Sequence, residues 1–427
     1  MADPRQKGRA AAAPGRVLVV LLGWLVLFAL VGVALGVLWA VPGSAWARGG
    51  ATLTAFVQLY LVDWPNTWGG GNWGWLDWLR PGQGMVPILV AILNWCILIF
   101  GFMLPMVMVQ IYGLRKILGF MQARVGPTQV GPHGLLQIFA DVVKLLTKED
   151  VIPAQADRWV FFIAPVLVLA PSAMSYLVLP FGPQRVEGGA LVSSFVAADL
   201  NVGLLYLLAI SSVSVIGVIG AGWASNNKYA LLGGLRSAAQ LMTYEVPLSL
   251  AVLAPVLWSG SLNLSRIAED QPTLLQWYCW PNFLGMLIFL VAALAELGHI
   301  PFDLPEAESE LVAGYHVEYS GMKFGMFFLA EFSNAYVLAA IGVTIFFGGY
   351  QSPFPASWPV LGLDYGIFGV LWFFLKTFSM IFALFWVRAT LPRVRIDQLM
   401  AMGWKFLIPL SLLNLVLVAV LRLLAGG

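Results

Sequence analysis

Long apolar runs alternate with short polar segments along almost the whole chain. A helix needs roughly 20 apolar residues to cross a hydrocarbon core about 30 Å thick, and nine runs come close to or exceed that length. The pattern therefore predicts an all-α fold, a polytopic transmembrane helix bundle of about nine spans with amphipathic surface helices. The predicted spans are residues 17–41, 86–111, 159–181, 202–222, 239–258, 280–297, 324–347, 365–387 and 405–424.

An amphipathic segment follows the second predicted span. Two Gly-Pro pairs, Gly126–Pro127 and Gly131–Pro132, interrupt helix formation and predict a turn-rich loop. Beyond them, polar residues recur at steps of four, three and four, which places them on one face of a helix whose other face is apolar. We predict that this helix lies along the membrane surface or beneath a docked partner, the alternative being an ordinary surface helix. The polar stripe comprises Gln137, Asp141, Lys144 and Lys148.

Composition and charge agree with a membrane protein. Hydrophobic residues make up 60% of the chain and charged residues only 10%, far from the composition of a soluble domain. If the N-terminus is cytoplasmic, the loops on that side hold 17 lysines and arginines and the opposite loops hold five. This bias predicts a cytoplasmic N-terminus. The net charge of +2 and the lack of basic tracts argue against nucleic acid as a partner.

The first 85 residues contain one span and a tryptophan-rich loop. The basic start and the apolar run 17–41 imitate a secretory signal, but the run is longer than the roughly 7–15 residues of a signal core. We therefore predict a retained helix. Residues 64–78 are rich in tryptophan and glycine, which is typical of an interfacial loop or short helix at the outer face, with ligand binding as the alternative.

Residues that could hold a cofactor are few. The two cysteines, Cys96 and Cys279, make neither a metal cluster nor an obvious disulfide. The three histidines are too scattered to ligate haem, and no glycine-rich phosphate loop follows a strand pattern. We predict that the chain holds no metal or flavin and that any electrons travel through other subunits.

Carboxylates concentrate in one segment, residues 295–323. It carries six of the chain's 21 acidic residues between two apolar runs. Carboxylates close to a membrane core are costly unless they face water, a partner or each other, and crowded carboxylates titrate as a coupled group. The segment is therefore suited to passing protons or responding to a charged intermediate. The six residues are Glu296, Asp303, Glu306, Glu308, Glu310 and Glu318.

Isolated charges also fall inside the predicted spans. Glu245 and Glu331 lie within apolar runs and Glu296 ends another, so we predict that they line a wet interior path, with structural ion pairs as the alternative. Lys376 is expected to find a carboxylate or water within the bundle. Arg388, Arg393 and Arg395 lie beside Asp397 and are typical of a positive-inside anchor with internal pairing.

Several motifs resemble the subunit 1 family (in bacteria, the H subunit) of proton-translocating NADH–quinone oxidoreductases, the respiratory complex I. The motifs follow the family order from about residue 86 to 424, and the family's eight helices correspond to the second to ninth spans. The chain is thus predicted to comprise an N-terminal extension, 1–85, and a quinone-binding membrane domain, 86–427. The motifs are RKILGFMQARVGP (115–127), VGPHGLLQ (130–137), ADVVK (140–144), GWASNNKY (222–229), LRSAAQ (235–240), YEVP (244–247), PFDLPEAESELVAGYHVEYSG (301–321), FLAEF (328–332) and VRATLPRVRIDQLM (387–400).

This resemblance implies a membrane subunit that encloses a quinone cavity together with peripheral subunits. Quinone, ubiquinone or menaquinone, would be the bound substrate, with iron–sulfur clusters and FMN in partner subunits. The partners would be other membrane-arm subunits, the peripheral subunits of the quinone site and membrane lipid. The location would be a bacterial inner membrane. Quinone reduction consumes two protons and creates transient negative charge, which raises the proton affinity of nearby carboxylates.

The resemblance also suggests particular residues. By match to family loops, the quinone channel would be lined by Arg124, Arg236, Phe302 and Asp303, although each could instead dock a partner or brace a loop. The proton relay would comprise Asp141, Glu245, Glu296, Glu306, Glu308, Glu310, Glu318 and Glu331.

Two positions depart from the family pattern. Relatives usually carry glutamate where this chain has Leu114 and arginine where it has His299. We hypothesise that the two usual residues neutralise each other, so that the loss of both leaves the local charge balanced.

Three other functions remain open. An equivalent subunit could serve a ferredoxin-, deazaflavin- or hydrogenase-linked complex. A secondary transporter would require repeated halves around a midplane site, and we find no such repeat. A purely structural anchor would leave the intramembrane acids unexplained.

Overall fold

The computed structural model describes residues 98–182, 185–187, 190–193, 199–305, 308–354 and 367–424. The first predicted span, the tryptophan-rich loop, Cys96 and the boundary at residue 85 lie outside these residues. The described chain is overwhelmingly helical, which confirms the predicted fold class. One short antiparallel hairpin, β1 (Arg185–Glu187) and β2 (Ala190–Ser193), is the exception among the described elements.

Seven of the described helices are long and apolar enough to cross a membrane, and α7 is apolar but shorter. The helices, in chain order, are α1 (Leu104–Met121, preceded by a π-helical turn, Leu98–Met103), α2 (Gln137–Thr147), α3 (Arg158–Ser175), α4 (Gly203–Ala224), α5 (Lys228–Ser259), α6 (Leu264–Glu269), α7 (Phe283–Glu296), α8 (Glu308–Leu311), α9 (Gly321–Phe346), α10 (Ile367–Thr390), α11 (Ile396–Ala401) and α12 (Ile408–Leu424, preceded by a π-helical turn, Met402–Leu407).

Several spans extend beyond their apolar runs at the end that carries the acidic segment. Helix α1 continues ten residues past the predicted end at 111 and stops just before the Gly-Pro loop. Helix α5 begins eleven residues earlier than predicted, because the Oδ1 atom of Asn227 accepts the backbone N–H of Tyr229 at 2.9 Å and caps the helix. Hydropathy finds where a helix enters the apolar layer, whereas caps and prolines decide where the helix ends.

The predicted amphipathic segment forms helix α2. Two residues of its polar stripe face α1, where Arg115 Nη1 lies 2.5 Å from Asp141 Oδ2 and Gln137 Nε2 donates to Asp141 Oδ1 at 3.1 Å. The other two, Lys144 and Lys148, are exposed. Its apolar face is largely exposed in the single chain, so it is free to contact lipid or another subunit. The exposed apolar residues in and just before α2 are Leu135, Leu136, Phe139, Val142, Val143 and Leu146.

Helix α9 is the most enclosed of the seven candidate spans. It contacts α1, α3 and α10, and its side chains Phe332, Tyr336 and Phe346 belong to the main hydrophobic core. Tyr336 is fully buried and stacks on Tyr176 of the loop after α3, with ring centroids 5.6 Å apart. Polar groups on α9 therefore face other helices.

The segments 122–157, 225–227, 297–305, 308–320 and 391–395 meet at one end of the bundle, which we call the acidic-loop end. Ser320 accepts the backbone N–H of Val151 at 2.9 Å. Gly233 of α5 touches the acidic loop so closely that an added Cβ would lie 2.7 Å from the Cα of Gly314. The acidic segment is thus packed onto the helix ends.

Lys376 lies in α10 near the opposite end of the bundle. Its ammonium donates to the backbone carbonyls of Phe347 at 2.7 Å, Gly349 at 3.0 Å and Gln351 at 2.7 Å. It also lies 4.6 Å from the ring centroid of Trp277. The expected partner within the bundle is therefore a set of carbonyls at the C-terminal end of α9, where the helix dipole favours a cation. It is not a carboxylate.

We expect Lys376→Met to lower the free energy of unfolding by about 3 kcal/mol, because three buried carbonyls lose a charged donor. Lys405→Met is the matched control, since Lys405 is exposed at the acidic-loop end. Thermal unfolding of the purified full chain in detergent measures the difference. Equal shifts in the two variants would show that the carbonyl cluster contributes little.

Candidate functional site

The acidic loop packs against the loop that follows α10. The backbone N–H of Val394 donates to the carbonyl of Pro301 at 3.0 Å, and Arg393 Nη2 lies 2.8 Å from Asp303 Oδ2. Burial raises the pKa of Asp303, while Arg393 and Arg388 act in the opposite direction. The other carboxylate oxygen of Asp303 is buried and has no hydrogen-bond partner among the described residues. This carboxylate is therefore poised to accept a proton or a donor group.

A second charged centre lies beside this pair, around Glu331 of α9. Gly298 has a φ of +64°, a left-handed conformation that turns the chain after α7 and directs His299 into the bundle. His299 is 1% exposed, and its Nδ1 lies 3.3 Å from Glu331 Oε1. Arg388 Nη1 lies 3.0 Å from the same nitrogen and 3.7 Å from Glu331 Oε1.

His299 Nδ1 can either donate a hydrogen bond or accept one, but it cannot do both at once. When Nδ1 carries a proton, it donates to the carboxylate of Glu331, and when it does not, it accepts from Arg388. One ring nitrogen can therefore exchange its hydrogen-bond partner as a proton arrives or leaves. The second ring nitrogen, Nε2, is buried and has no partner among the described residues.

His316 of the acidic loop also faces this centre. Burial lowers the pKa of His316 to about 4, and the charge of Glu331 opposes that shift. His316 therefore stays neutral near pH 7, packed against Tyr315 and Phe324 with ring centroids 5.1 and 5.3 Å apart. Its place at this centre is not predicted from the sequence.

A cavity of about 110 Å³ connects Glu331 with Glu296 at the end of α7. It lies among α3, α4, α5, α7 and α9, and it has room for a few water molecules. One carboxylate oxygen of Glu296 is buried and has no partner among the described residues. Glu245 does not line the cavity, but its negative charge is close enough to repel that of Glu296. Besides the two glutamates, polar lining residues include Ser211, Ser214, Ser237, Gln240 and Asn334.

Gln240 and Tyr244 hold the acidic loop in place from α5. Gln240 Nε2 donates to the carbonyls of Ala295 at 2.7 Å and Phe302 at 2.9 Å. Tyr244 donates to the carbonyl of Leu399 at 2.8 Å, and its ring centroid lies 6.1 Å from that of buried Phe302. These contacts fix the Phe302–Asp303 turn between α5 and α11.

The structure brings together five of the twelve site residues predicted from the sequence. Phe302, Asp303, Glu296 and Glu331 lie around the cavity and the two charged centres, with Glu245 close by. The others form separate contacts at the acidic-loop end. These are Arg236–Glu310 at 2.6 Å, Asn227–Glu318 at 2.6 Å, the Arg115–Asp141 pair and the exposed Arg124, whose Nε donates to Gln122 at 2.7 Å.

The side chains of two predicted relay residues lie outside the part of the chain that the structure describes. Glu306 lies outside the described residues. Glu308 begins α8, and its side chain also lies outside the described part. Leu114 is buried in the main core, so its hypothesised link to His299 stays a prediction.

Sequence reasoning named Arg388, Arg393 and His299 but missed their partners, and it gave His316 no role. The two arginines pair with Glu331 and Asp303, whereas the prediction associated them with Asp397. His299 had been noted only as a departure from a family pattern. The cluster of arginines at the end of a predicted span was a usable signal. Acids buried in the bundle need cations beside them, and these arginines are close enough along the membrane surface to pair with such acids.

The arrangement suits proton exchange between fixed groups. It offers two partly buried carboxylate–arginine pairs, two histidines and a cavity with room for water that reaches a third carboxylate. Among the described residues, no three His, Cys, Asp or Glu side chains are grouped closely enough to hold a metal ion.

Comparison with known proteins identifies close relatives. The model of the NADH dehydrogenase family matches residues 94–419. The H subunit of NADH-quinone oxidoreductase from Brevibacillus brevis is 49% identical over 324 residues, covering 76% of this chain and 91% of that protein. NADH-quinone oxidoreductase subunit 8 of Rhodothermus marinus is 48% identical over 331 residues, covering 75% and 94%. The H subunit from Geobacillus thermodenitrificans is 47% identical over 352 residues, covering 81% and 98%.

Proposed function

The chain belongs to the NADH dehydrogenase family, and on that premise we propose that it is a quinone-site subunit that passes quinone redox chemistry to proton translocation. Its relatives are subunits of NADH-quinone oxidoreductase, so the proposed assembly is a complex I. The enzymatic class is a proton-translocating NADH–quinone oxidoreductase, in which this chain carries no redox cofactor of its own.

One observation supports the proposal above the others. Glu331 contacts both Arg388 and His299, and the same carboxylate lines a cavity that continues to Glu296. A structural ion pair needs no such cavity. A proton path needs one, because water has to reach each carboxylate in turn.

The quinone end of the proposed site is the Phe302–Asp303 turn. The ring of Phe302 is buried against Tyr244 and supports this turn, and Asp303 holds Arg393 beside it. Arg124 and Arg236 extend the proposed channel toward the peripheral subunits, since both lie at the surface of the acidic-loop end. Electrons enter the quinone from a partner subunit, and the quinone takes up two protons.

The proposed coupling follows from electrostatics. Negative charge that arrives near Asp303 attracts positive charge and raises the proton affinity of neighbouring carboxylates. Arg388 links the two charged centres. Its positive charge favours the ionised form of Asp303, and its guanidinium contacts Glu331. A shift of Arg388 toward the quinone weakens its hold on Glu331, which then takes its proton from His299 or from cavity water. Glu296 and Glu245 carry the proton onward.

Partners and orientation complete the proposal. The exposed apolar face of α2 and the surface pairs Arg236–Glu310 and Asn227–Glu318 lie at the acidic-loop end, where the peripheral subunits would dock. That end faces the cytoplasm of a bacterial cell, in accordance with the distribution of lysine and arginine. The membrane-arm partners would contact the lateral helix faces.

A photoreactive quinone analogue tests the proposal. We expect the analogue to label residues 297–305 in the purified assembly, with iron–sulfur subunits co-purifying, and excess quinone to remove the label. Phe302→Ala should reduce labelling about tenfold, because the turn loses the buried ring that packs on Tyr244 and holds the turn in place. Phe346→Ala is the matched control, because Phe346 is also buried but lies at the opposite end.

The outcomes separate the alternatives. Labelling that excess quinone does not remove, or that maps to other helices, would contradict the quinone site. Purification of the chain alone with transport activity would support a secondary transporter. Labelling together with reduction by ferredoxin or deazaflavin, in place of NADH, would support a complex with another donor.

A further inference from the structure

The end of the bundle opposite the acidic loop contains a second, larger opening. A cleft of about 610 Å³ lies between the C-terminal ends of α5 and α12 and the loop that connects α6 to α7. Its lining includes Trp258, Asp270, Trp277, Tyr278 and Arg422. Nothing in the proposed quinone or proton chemistry uses these residues.

Arg422 is the cation of this cleft. Its guanidinium lies 5.8 Å from the ring centroid of Trp258. Within the part of the chain that the structure describes, Arg422 forms neither a hydrogen bond nor an ion pair. Its planar set of five N–H donors therefore remains available, and a phosphate group matches that geometry with two parallel hydrogen bonds.

Asp270 is the anion of the same cleft. Tyr278 donates to Asp270 Oδ2 at 3.5 Å. Burial raises the pKa of Asp270, and the charges of Arg266 and Arg422 act against this shift. Asp270 and Arg422 thus interact across the cleft without forming an ion pair. A ligand that carries both a negative and a positive group complements them.

The surroundings of the cleft match a lipid. Tryptophan and tyrosine concentrate where a helix bundle meets the headgroup layer, and three such rings line this cleft. Exposed apolar side chains lead from it along α5 and α12 toward the bilayer centre, where acyl chains would run. They are Leu253, Leu257, Val416, Leu417, Val420 and Leu421.

We propose that this cleft binds the headgroup of an aminophospholipid of the phosphatidylethanolamine class. The phosphate accepts hydrogen bonds from Arg422, and the primary ammonium donates to Asp270 beside the aromatic rings. An ammonium with three N–H donors suits a carboxylate better than a trimethylated one, which cannot donate. A glycerol headgroup offers no charge to Asp270.

Crosslinking of lipids with a photoreactive acyl chain tests the site. The full chain, in the assembly with which it purifies, is reconstituted in nanodiscs of phosphatidylethanolamine, phosphatidylcholine or phosphatidylglycerol. We expect crosslinks from the ethanolamine lipid to residues 253–258 and 416–424 at about tenfold the yield of the other two lipids. Arg422→Gln should reduce that yield about tenfold, the loss expected for a charge-assisted hydrogen bond.

Two further variants make the outcome decisive. Asp270→Asn should remove the preference for ethanolamine over glycerol, whereas Arg158→Gln, the same change as in Arg422→Gln but at an exposed arginine of the acidic-loop end, should leave the yields unchanged. Free phosphoethanolamine or inorganic phosphate at millimolar concentration should not compete, because neither has acyl chains. Equal yields for the three lipids, a full yield in Arg422→Gln, or crosslinks to another subunit at these residues would overturn the proposal. None of these results depends on quinone reduction.

Discussion

Glu331→Gln is expected to reduce proton-coupled quinone reduction about a hundredfold, the lower end of the effect of removing a group that transfers a proton. Glutamine keeps the size and one acceptor oxygen of glutamate but cannot take up a proton or balance the charge of Arg388. Arg388, 3.7 Å away, would then lie beside His299 with no carboxylate between them and the cavity. The variant interrupts the path at the point where the loop and the cavity meet.

Membrane vesicles that contain the assembly allow the measurement. Quinone reduction and the pH change inside the vesicles are followed together, and electron transfer to a water-soluble acceptor reports whether the peripheral subunits remain intact. Glu149→Gln is the matched control, because Glu149 is an exposed carboxylate at the same end. If Glu331→Gln retained more than about half of the coupled rate, its activation free energy would differ from that of the parent by less than about 1 kcal/mol. Glu331 would then not belong to the proton path.

The sequence predicted the helices well because their signal is local. Apolar runs of the right length located the spans, and the four-three-four spacing of polar residues located α2. Asn227 and the Gly-Pro pairs then explain where α5 begins and α1 ends. Each of these signals lies within one or two turns of the residues that it describes.

The candidate site was predicted only in part because its contacts are distant along the chain. Glu331 and Asp303 were suggested by a buried charge and by a family motif. Their partners, Arg388 and Arg393, lie 57 and 90 positions further on, and no periodicity links the members of such pairs. The partner of Lys376 illustrates the same limit, because backbone carbonyls leave no mark in the sequence.

The cavity could not be predicted from the sequence, for a different reason. Residues on α4, α5, α7 and α9 enclose it, and an empty volume arises where side chains on separate helices fail to meet. The sequence could indicate that Glu296 needs a wet environment. It could not indicate that Ser211, Ser214 and Asn334 would provide that environment.

The charge balance around Glu331 leads to a second large effect, this time on stability. Arg388→Met is expected to lower the free energy of unfolding by about 3 kcal/mol, because Glu331 then keeps only His299 as a close partner. The double variant Arg388→Met with Glu331→Gln removes both charges and should recover most of that loss. The recovery arises because removing one member of a poorly solvated pair costs more than removing both.

Thermal unfolding of the purified full chain measures the four members of this cycle, and the coupling between the two substitutions is the interaction energy. Arg393→Met with Asp303→Asn provides the comparison cycle. The Arg393 pair is the shorter contact, 2.8 Å against 3.7 Å, and its carboxylate is 15% exposed against 22%, so its coupling should be at least as large. Additive losses in the Arg388 cycle would mean that Glu331 is already solvated or protonated without Arg388. Arg388 would then be a membrane anchor, and the transfer of charge from the quinone turn to the cavity would need another residue.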